Sequence, residues 1–361
     1  MTIYILDSNL DIIGPVPVFT SLIWSRRYYE PGVFEFHSVP EYFNIMHTGK
    51  YFYRSDRPTE LGVIRNQHFD NSSCYCKGFL AESLLDNRVI DKTRHLSGTP
   101  ETIGRTLVTD FFISPTDSSR GVNNILLGTV HNIGSQVSIQ VTGDNVGAFM
   151  YEVEKTQEMS HRLLYNYQTN KFTLDFYKGL DRTDQQNVNS WAVFSDMFQN
   201  VKTFSYDLDN SDYRNFAYIA GEGEGSDRKV TYVDICESAT EERRELYVDA
   251  RDLQQTTETG RTYTDAEYES LLQQRGRRKL AEYNQRQKVE SDVDPDANLV
   301  YGVDFDLGDL CTVMKSSIGI AVDTRITEIS ETIEGASRTV DVIFGEDSPT
   351  NIRKIIRRET T

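Results

Sequence analysis

The sequence predicts an α+β chain that is predominantly β, with strands at both ends and helix-bearing segments between them. Three observations lead to this. Tyr and Phe are abundant (20 and 18) while Trp (2) and Pro (9) are scarce, as in an aromatic-packed, strand-rich protein. The first hundred residues fall into short alternating runs separated by turn formers. Capped, amphipathic helical patterns begin only after residue 97. A length of 361 residues suits two or three domains and a core that needs neither disulfides nor a metal.

Residues 3–6 and 11–13 flank Asp7-Ser8-Asn9, a hairpin turn. Runs at 22–29 and 33–37 are joined by Pro31-Gly32, which reads as the central pair of a type II turn. Strands at 50–54, 61–69 and 73–79 complete a small barrel or sandwich. Thr99-Pro100 then reads as the N-cap and first residue of a helix reaching about residue 112, with Ile103, Leu107 and Phe111 on one face. Residues 116–145 are rich in Ser, Asn and Gly and yield no clear element. A second helix is expected over 146–167, then a strand over 171–177.

Strands return at 203–208, 215–220, 229–235 and 243–248. A helix at about 264–288 interrupts them. It opens on the capping box Thr264-Asp265-Ala266-Glu267 and runs from acidic to basic, as the macrodipole favours. Its Tyr268, Leu271, Leu272 and Tyr283 suit packing on its own subunit or at a subunit boundary. Final strands are expected at 309–314, 319–330 and 337–344, the last pair turned at Glu334-Gly335. The basic tail 351–358 is expected to fray.

Acids outnumber bases 55 to 38, a net charge of −17, which argues against wrapping duplex DNA or docking on anionic lipid. No apolar run reaches 18 residues, so no transmembrane helix is expected. MTIYILDSNLDIIGPV lacks the basic region and cleavage site of a signal peptide. The four cysteines (Cys74, Cys76, Cys236, Cys311) are expected as free thiols of a protein made in a reducing cytoplasm.

Each motif with chemical potential has a plainer reading. GEGEG (221–225) lacks the Lys-Ser/Thr of a phosphate loop, and Glu222 and Glu224 would repel phosphate, so a hairpin loop is expected. Cys74-x-Cys76 places two thiols on one strand face, with His68 nearby but no zinc-ligand spacing. Asp207-x-Asp209 and Asp304-x-Asp306 lack the glycine and terminal Glu of a calcium loop and read as turn acids, the second pair within a run that includes Asp292, Asp294, Asp296 and Asp309. Glu158-x-x-His161, with Glu154 one turn earlier, occurs once where a di-metal bundle needs it twice, and a surface salt bridge is expected. No hydrolase or zinc-protease motif is present. Catalytic, cofactor-binding and metal residues are therefore all expected to be none, and the chain not to be an enzyme.

Several blocks resemble siphophage tail proteins of the baseplate-hub family: SLIWSRRYYEPGVFEF (21–36), DYRNFAYIAGEGEGSDR (212–228), RRELYVDARDL (243–253), YESLLQQRGRRKLAEY (268–283) and the closing YGVDFDLGDLCTV…RITEISETIEG…TVDVIFGE. The resemblance implies the fold of the central hub of contractile phage tails, two small tube-type β-barrels with α/β inserts. On that reading residues 1–95 are a first barrel-like domain, 96–202 an α/β insert, and 203–361 a second barrel-like domain interrupted by the helix. It further implies a homotrimeric ring, a structural component of the virion that closes the tail tube, connects it to the tip and lets DNA pass without sequence-specific binding. Its expected partners are its own copies, distal tail and tail tube proteins, and tail-tip or receptor-binding proteins. Assembly would occur in the host cytoplasm. Relatives often continue into a lysin; here the chain stops at Thr361, so such activity is expected from another subunit. The alternatives are a tail-associated cell-wall hydrolase and a carbohydrate-binding tip module.

Overall fold

The computed structural model describes residues 1–236, 238, 240–256, 260–283, 286–293, 297–345 and 351–354. Its amino-terminal lobe contains β1 (Ile3–Leu6), β2 (Ile12–Val16), β3 (Phe19–Arg27), β4 (Val33–Ser38), the short helix α1 (Phe43–Thr48), β5 (Tyr51–Arg54), β6 (Leu61–Phe69) and β7 (Cys74–Leu80). The strands lie in the order β2-β1-β5-β6-β7-β4-β3. The first hairpin turns where expected, the Asp7 carboxylate accepting from the amides of Asn9 (2.8 Å) and Asp11 (3.0 Å).

This sheet is strongly curled. In a flat sheet β3 and β5 would stand four strand spacings apart, about 19 Å. Instead the Trp24 and Phe52 rings are 6.0 Å apart, and Phe36 lies 4.8 Å from Phe52. Ile3, Ile5, Leu22, Phe34 and both Cys74 and Cys76 complete that interior. Among the described strand pairs none joins β2 back to β3, so the curl stays open there. Pro31-Gly32 does turn the chain between β3 and β4, but Gly32 is not at positive φ and the turn is not type II. A Cβ there would meet the Ser25 carbonyl at 2.4 Å, so close packing is what requires glycine.

The insert contains β8 (Arg94–Gly98), α2 (Pro100–Val108), β9 (Ile125–Leu127), β10 (Val137–Val141), α3 (Val146–Lys155), β11 (Ser160–Asn166) and β12 (Lys171–Tyr177). Thr99 caps α2 through the Thr102 amide (3.2 Å), and Ile103, Leu107 and Phe111 are buried as their spacing predicts. The helix expected over 146–167 ends at Lys155. The chain reverses at Glu158 (φ 55°), and β11 begins at Ser160. Period-two burial wins here: Leu163 and Tyr165 face inward opposite Leu174 and Phe172 of β12. Two strands, β9 and β10, lie in the stretch that sequence left blank. The insert rests on β5, which is buried on both faces: Phe52 points into the lobe, while Tyr51 and Tyr53 join the core built from α2, α3, β11 and β12.

The carboxyl-terminal region adds β13 (Val193–Ser195), β14 (Ser205–Asp209), β15 (Phe216–Ala220), β16 (Val230–Asp234), β17 (Glu245–Asp249), α4 (Asp265–Ala281), β18 (Arg286–Val293), β19 (Leu310–Lys315), β20 (Ile320–Glu334), β21 (Ser337–Gly345) and β22 (Asn351–Lys354). The 15-residue β20 is the spine. One edge pairs β19 over residues 320–325 and β3 over residues 328–334; the other pairs β22 and then β21. A bulge at Thr327 separates the two halves, its carbonyl accepting from the Tyr28 amide (2.9 Å). Phe194 of β13 and Phe344 of β21 are separated by two strands yet 4.9 Å apart, so this second lobe is curled as well. Both lobes thus belong to one continuous sheet. Gly335 (φ 59°) makes the expected β20–β21 turn.

Strands β15 to β17 are not part of the second lobe's sheet. They form a separate layer, β16-β15-β17, covered on one face by α4. The capping box is present at Thr264 and Glu267. The helix ends at Ala281 and not near 288, because residues 286–293 pair with β14 and β21 as β18. Long-range pairing there outweighs helix propensity. The apolar face of α4 is used within the chain: Tyr268, Leu271, Leu272 and Leu280 pack on the small sheet, while the Arg278 guanidinium lies 5.3 Å from the Phe149 ring of α3. The tail strand β22 is paired; residues 355–358 of the expected frayed tail, and Asp294 and Asp296, lie outside the described residues. Replacing Leu271 or Leu272, 4% and 2% exposed, by Ala should cost about 2–5 kcal/mol each, read as a lowered denaturant midpoint.

Candidate functional site

The most concentrated polar cluster lies where the two lobes meet. Glu331 stands directly opposite Trp24 in the β20–β3 ladder, in the same inward register as Ile329, and is 1% exposed. Its Oε1 accepts from Arg57 Nε (3.0 Å) and Nη2 (2.6 Å), and its Oε2 from Arg54 Nη2 (3.4 Å) and Arg338 Nη2 (2.9 Å). Arg54 is itself fully buried, 5.3 Å over the Trp24 ring, and donates to Asp56 at 2.9 Å. Burial alone would push the Glu331 carboxyl up, but Arg54, Arg57 and Arg338 together hold it below the usual glutamate range.

A second group continues the cluster. Arg26 donates to Asp306 (2.7 Å) and Tyr301 Oη (2.8 Å) and lies 3.3 Å from Glu60, which also accepts from Trp24 Nε1 (2.6 Å). Ser25 and Ser330 share a hydroxyl hydrogen bond of 2.6 Å. Every carboxylate here is matched by a guanidinium or an N–H donor. The arrangement clamps β3, β5 and the turn after it, β20 and β21 together.

The sequence candidates are scattered through the fold. GEGEG closes the β15–β16 hairpin, with Gly221 N donating to Lys229 O (2.8 Å), Lys229 N to Glu222 O (3.0 Å), and Gly223 and Gly225 at positive φ. Cys74 and Cys76 share the inner face of β7; burial pushes both thiols up, and Cys74 Sγ lies 3.1 Å from the Val39 carbonyl. His68 is exposed and stacked on Tyr75 at 4.9 Å. Cys311 is buried in the second lobe, and all four cysteines are free. Asp207 and Asp209 stand exposed on β14, Asp209 bracing a turn at Ser211. Asp304 accepts from the Val300 amide, while Asp309 is buried among Arg182 Nε and the Leu180 and Asp306 amides.

The surface pair expected between Glu158 and His161 is not formed; His161 is buried and pairs with Glu154 across elements. Glu154 lies in the last turn of α3, His161 is the second residue of β11, and His161 Nδ1 lies 2.8 Å from the Glu154 carboxylate with both side chains out of water. Glu158, at the reversal between them, pairs with Arg325 (2.8 Å). His161 Nε2 and Glu82 Oε2 lack hydrogen-bond partners among the described residues. Both residues line a void of about 70 Å³, room for one or two waters but not for a sugar ring. No group of three or more His, Cys, Asp and Glu among the described residues has the arrangement of a metal site.

Sequence reading missed the Glu331 clamp. The available signal was a charge at an inward position of an otherwise apolar strand face, Ile329-x-Glu331-x-Ile333, which requires a buried cation as partner. Replacing Glu331 with Gln should cost about 3–5 kcal/mol, because three arginines lose their common anion. The carboxyl is depressed in the folded state, so its contribution is complete above the unfolded glutamate value of about 4.3 and is lost as pH falls through the folded value. Melting curves between pH 7 and pH 3 should show this acid loss in the parent chain and a shallower one in E331Q.

The whole architecture is shared with solved phage tail proteins. It matches the 43 kDa tail protein of prophage MuSo2 from Shewanella oneidensis (TM-score 0.57, 11% identity, 96% of this chain and 99% of that one). The tail protein of Neisseria meningitidis MC58 matches equally (0.57, 11%, 96% of each). So does prophage tail protein gp18 of Listeria monocytogenes EGD-e (0.57, 12%, 96% and 94%). At these identities the likeness establishes the fold. No curated protein sequence matches the chain. The model of the siphovirus ReqiPepy6 Gp37-like proteins matches residues 2–346, and the chain belongs to that family.

Proposed function

We propose that this tail component is the hub of the siphophage tail tip: three copies form a ring that closes the tail tube, joins it to tail-tip or receptor-binding proteins, and lets DNA through on infection. The observation that carries the reading is the pair of curled lobes built on one shared strand. Two such lobes per chain and three chains supply six units, the number that continues a sixfold tube. Among the described strand pairs the sheet path ends at two edges with no further strand, β2 and β14, and a closed ring would cover edges of that kind. Residues 1–95, 96–202 and 203–361 serve in this proposal as first lobe, insert and second lobe, with β13 joining the second lobe's sheet and the β15–β17 layer and α4 as a second insert.

The acidic balance fits a DNA conduit. Three copies at −17 each would carry −51, and residues 205–260 hold 14 acids against 6 bases. Acids on a narrow bore repel the DNA backbone within a screening length of about 8 Å, whereas a cationic wall would bind it through counterion release. Light scattering and negative-stain images of the purified chain should show a trimeric ring with a central hole. A monomer at high concentration, together with no ring in intact virions, overturns the proposal. In the assembled ring, acids should outnumber bases on the bore-facing surface; a Lys- and Arg-lined bore would refute the conduit reading.

A further inference from the structure

The small sheet β16-β15-β17 is covered by α4 on one face only. On the other face, register sets Tyr218 of β15 directly opposite Tyr232 of β16 and Tyr247 of β17, so one tyrosine from each strand stands in a single row. They are 37%, 59% and 62% exposed. Phe216 extends the row, stacked on Tyr232 (5.4 Å, 11°) and edge-on to Tyr218 (5.1 Å). The rings are held in place. The Arg243 guanidinium lies 3.4 Å over Phe216 and donates to Tyr218 Oη (2.8 Å), while Arg228 donates to Tyr247 Oη (3.2 Å).

The charges around the row cancel. Asp234 and Glu245 flank Phe216, and Asp249 is level with Ala220. Glu245 pairs with Arg243 (2.9 Å), and Asp249 with Arg228 (2.5 Å) and Arg251 (2.7 Å). Two carboxylates thus meet three guanidiniums, and Asp234, which accepts from the Cys236 amide (2.9 Å), brings the count to three of each sign on a chain of net charge −17. A strongly charged partner finds little uncompensated charge here, and a polyanion is repelled by the rest of the molecule. What the face offers is immobilised aromatic surface edged by hydroxyls, carboxylates and guanidiniums. That suits a ligand with C–H faces to stack on the rings and hydroxyls to bond to the rim. The row places one ring on each of three strands that run about 4.8 Å apart, a strip that suits a linear chain better than a single ring.

We propose that this tyrosine face binds a neutral saccharide chain, a role that does not depend on the hub proposal. The full-length protein should retain neutral oligosaccharides on an array that also carries sialylated and sulfated glycans. Tyr232→Ala and Tyr247→Ala should each weaken binding of the selected oligosaccharide at least about tenfold, with melting temperature unchanged, since both side chains are exposed. Tyr167→Ala, at an equally exposed ring on the insert, should leave binding intact. The proposal is overturned if no neutral glycan is retained, if only anionic glycans are, or if binding survives both row substitutions. It is also overturned if those substitutions abolish self-association and leave glycan binding unchanged, which would make the row a subunit contact.

Discussion

A carboxylate shut away from water has to find its counter-charge inside the protein, and Glu331 finds it in three arginines drawn from β5, the turn after it and β21. Because Glu331 sits on the strand that both lobes share, satisfying it fixes how the lobes meet. The Trp24 ring beneath Arg54, the Arg26–Asp306 pair and the Ser25–Ser330 bond are arranged around that contact. An apolar side chain at position 331 would fill the same space. It would not require three specific guanidiniums to converge there, so the buried charge specifies the register of β20 against β3 as well as contributing to stability.

The remaining layers follow from surfaces left over at the junction. A curled sheet buries its inner face and still presents a largely apolar outer one at β5, which the insert covers. The insert then presents β10 and α3 to α4, where Gln140 donates to the Asp252 carbonyl (2.8 Å) and Arg278 approaches Glu152 (3.3 Å). Lobe, insert and small sheet are therefore joined through successive interfaces between adjacent layers.

Local chemistry was legible in the sequence. The hairpin at Asp7, the caps at Thr99 and Thr264, the Gly335 turn and the loop nature of GEGEG all depend on residues close in sequence. What stayed hidden depends on partners far away. β18 follows a helix through residues with good helix propensity and is a strand only because β21 and β14 lie on either side. The helix expected over 146–167 carried the spacing Glu158-x-x-His161, but the chain reverses at Glu158, which pairs with Arg325 while His161 pairs with Glu154. The Glu331 clamp and the tyrosine row are register effects, visible only once it is known which strands are neighbours.

The shared strand also has a mechanical meaning. Two domains joined by a loop separate by straightening that loop, with few bonds broken along the way. Here separating the lobes means breaking the β3–β20 ladder, whose seven residue pairs bear the load together, and the Glu331 contacts that cross it. A pull on either lobe therefore reaches the other with little slack.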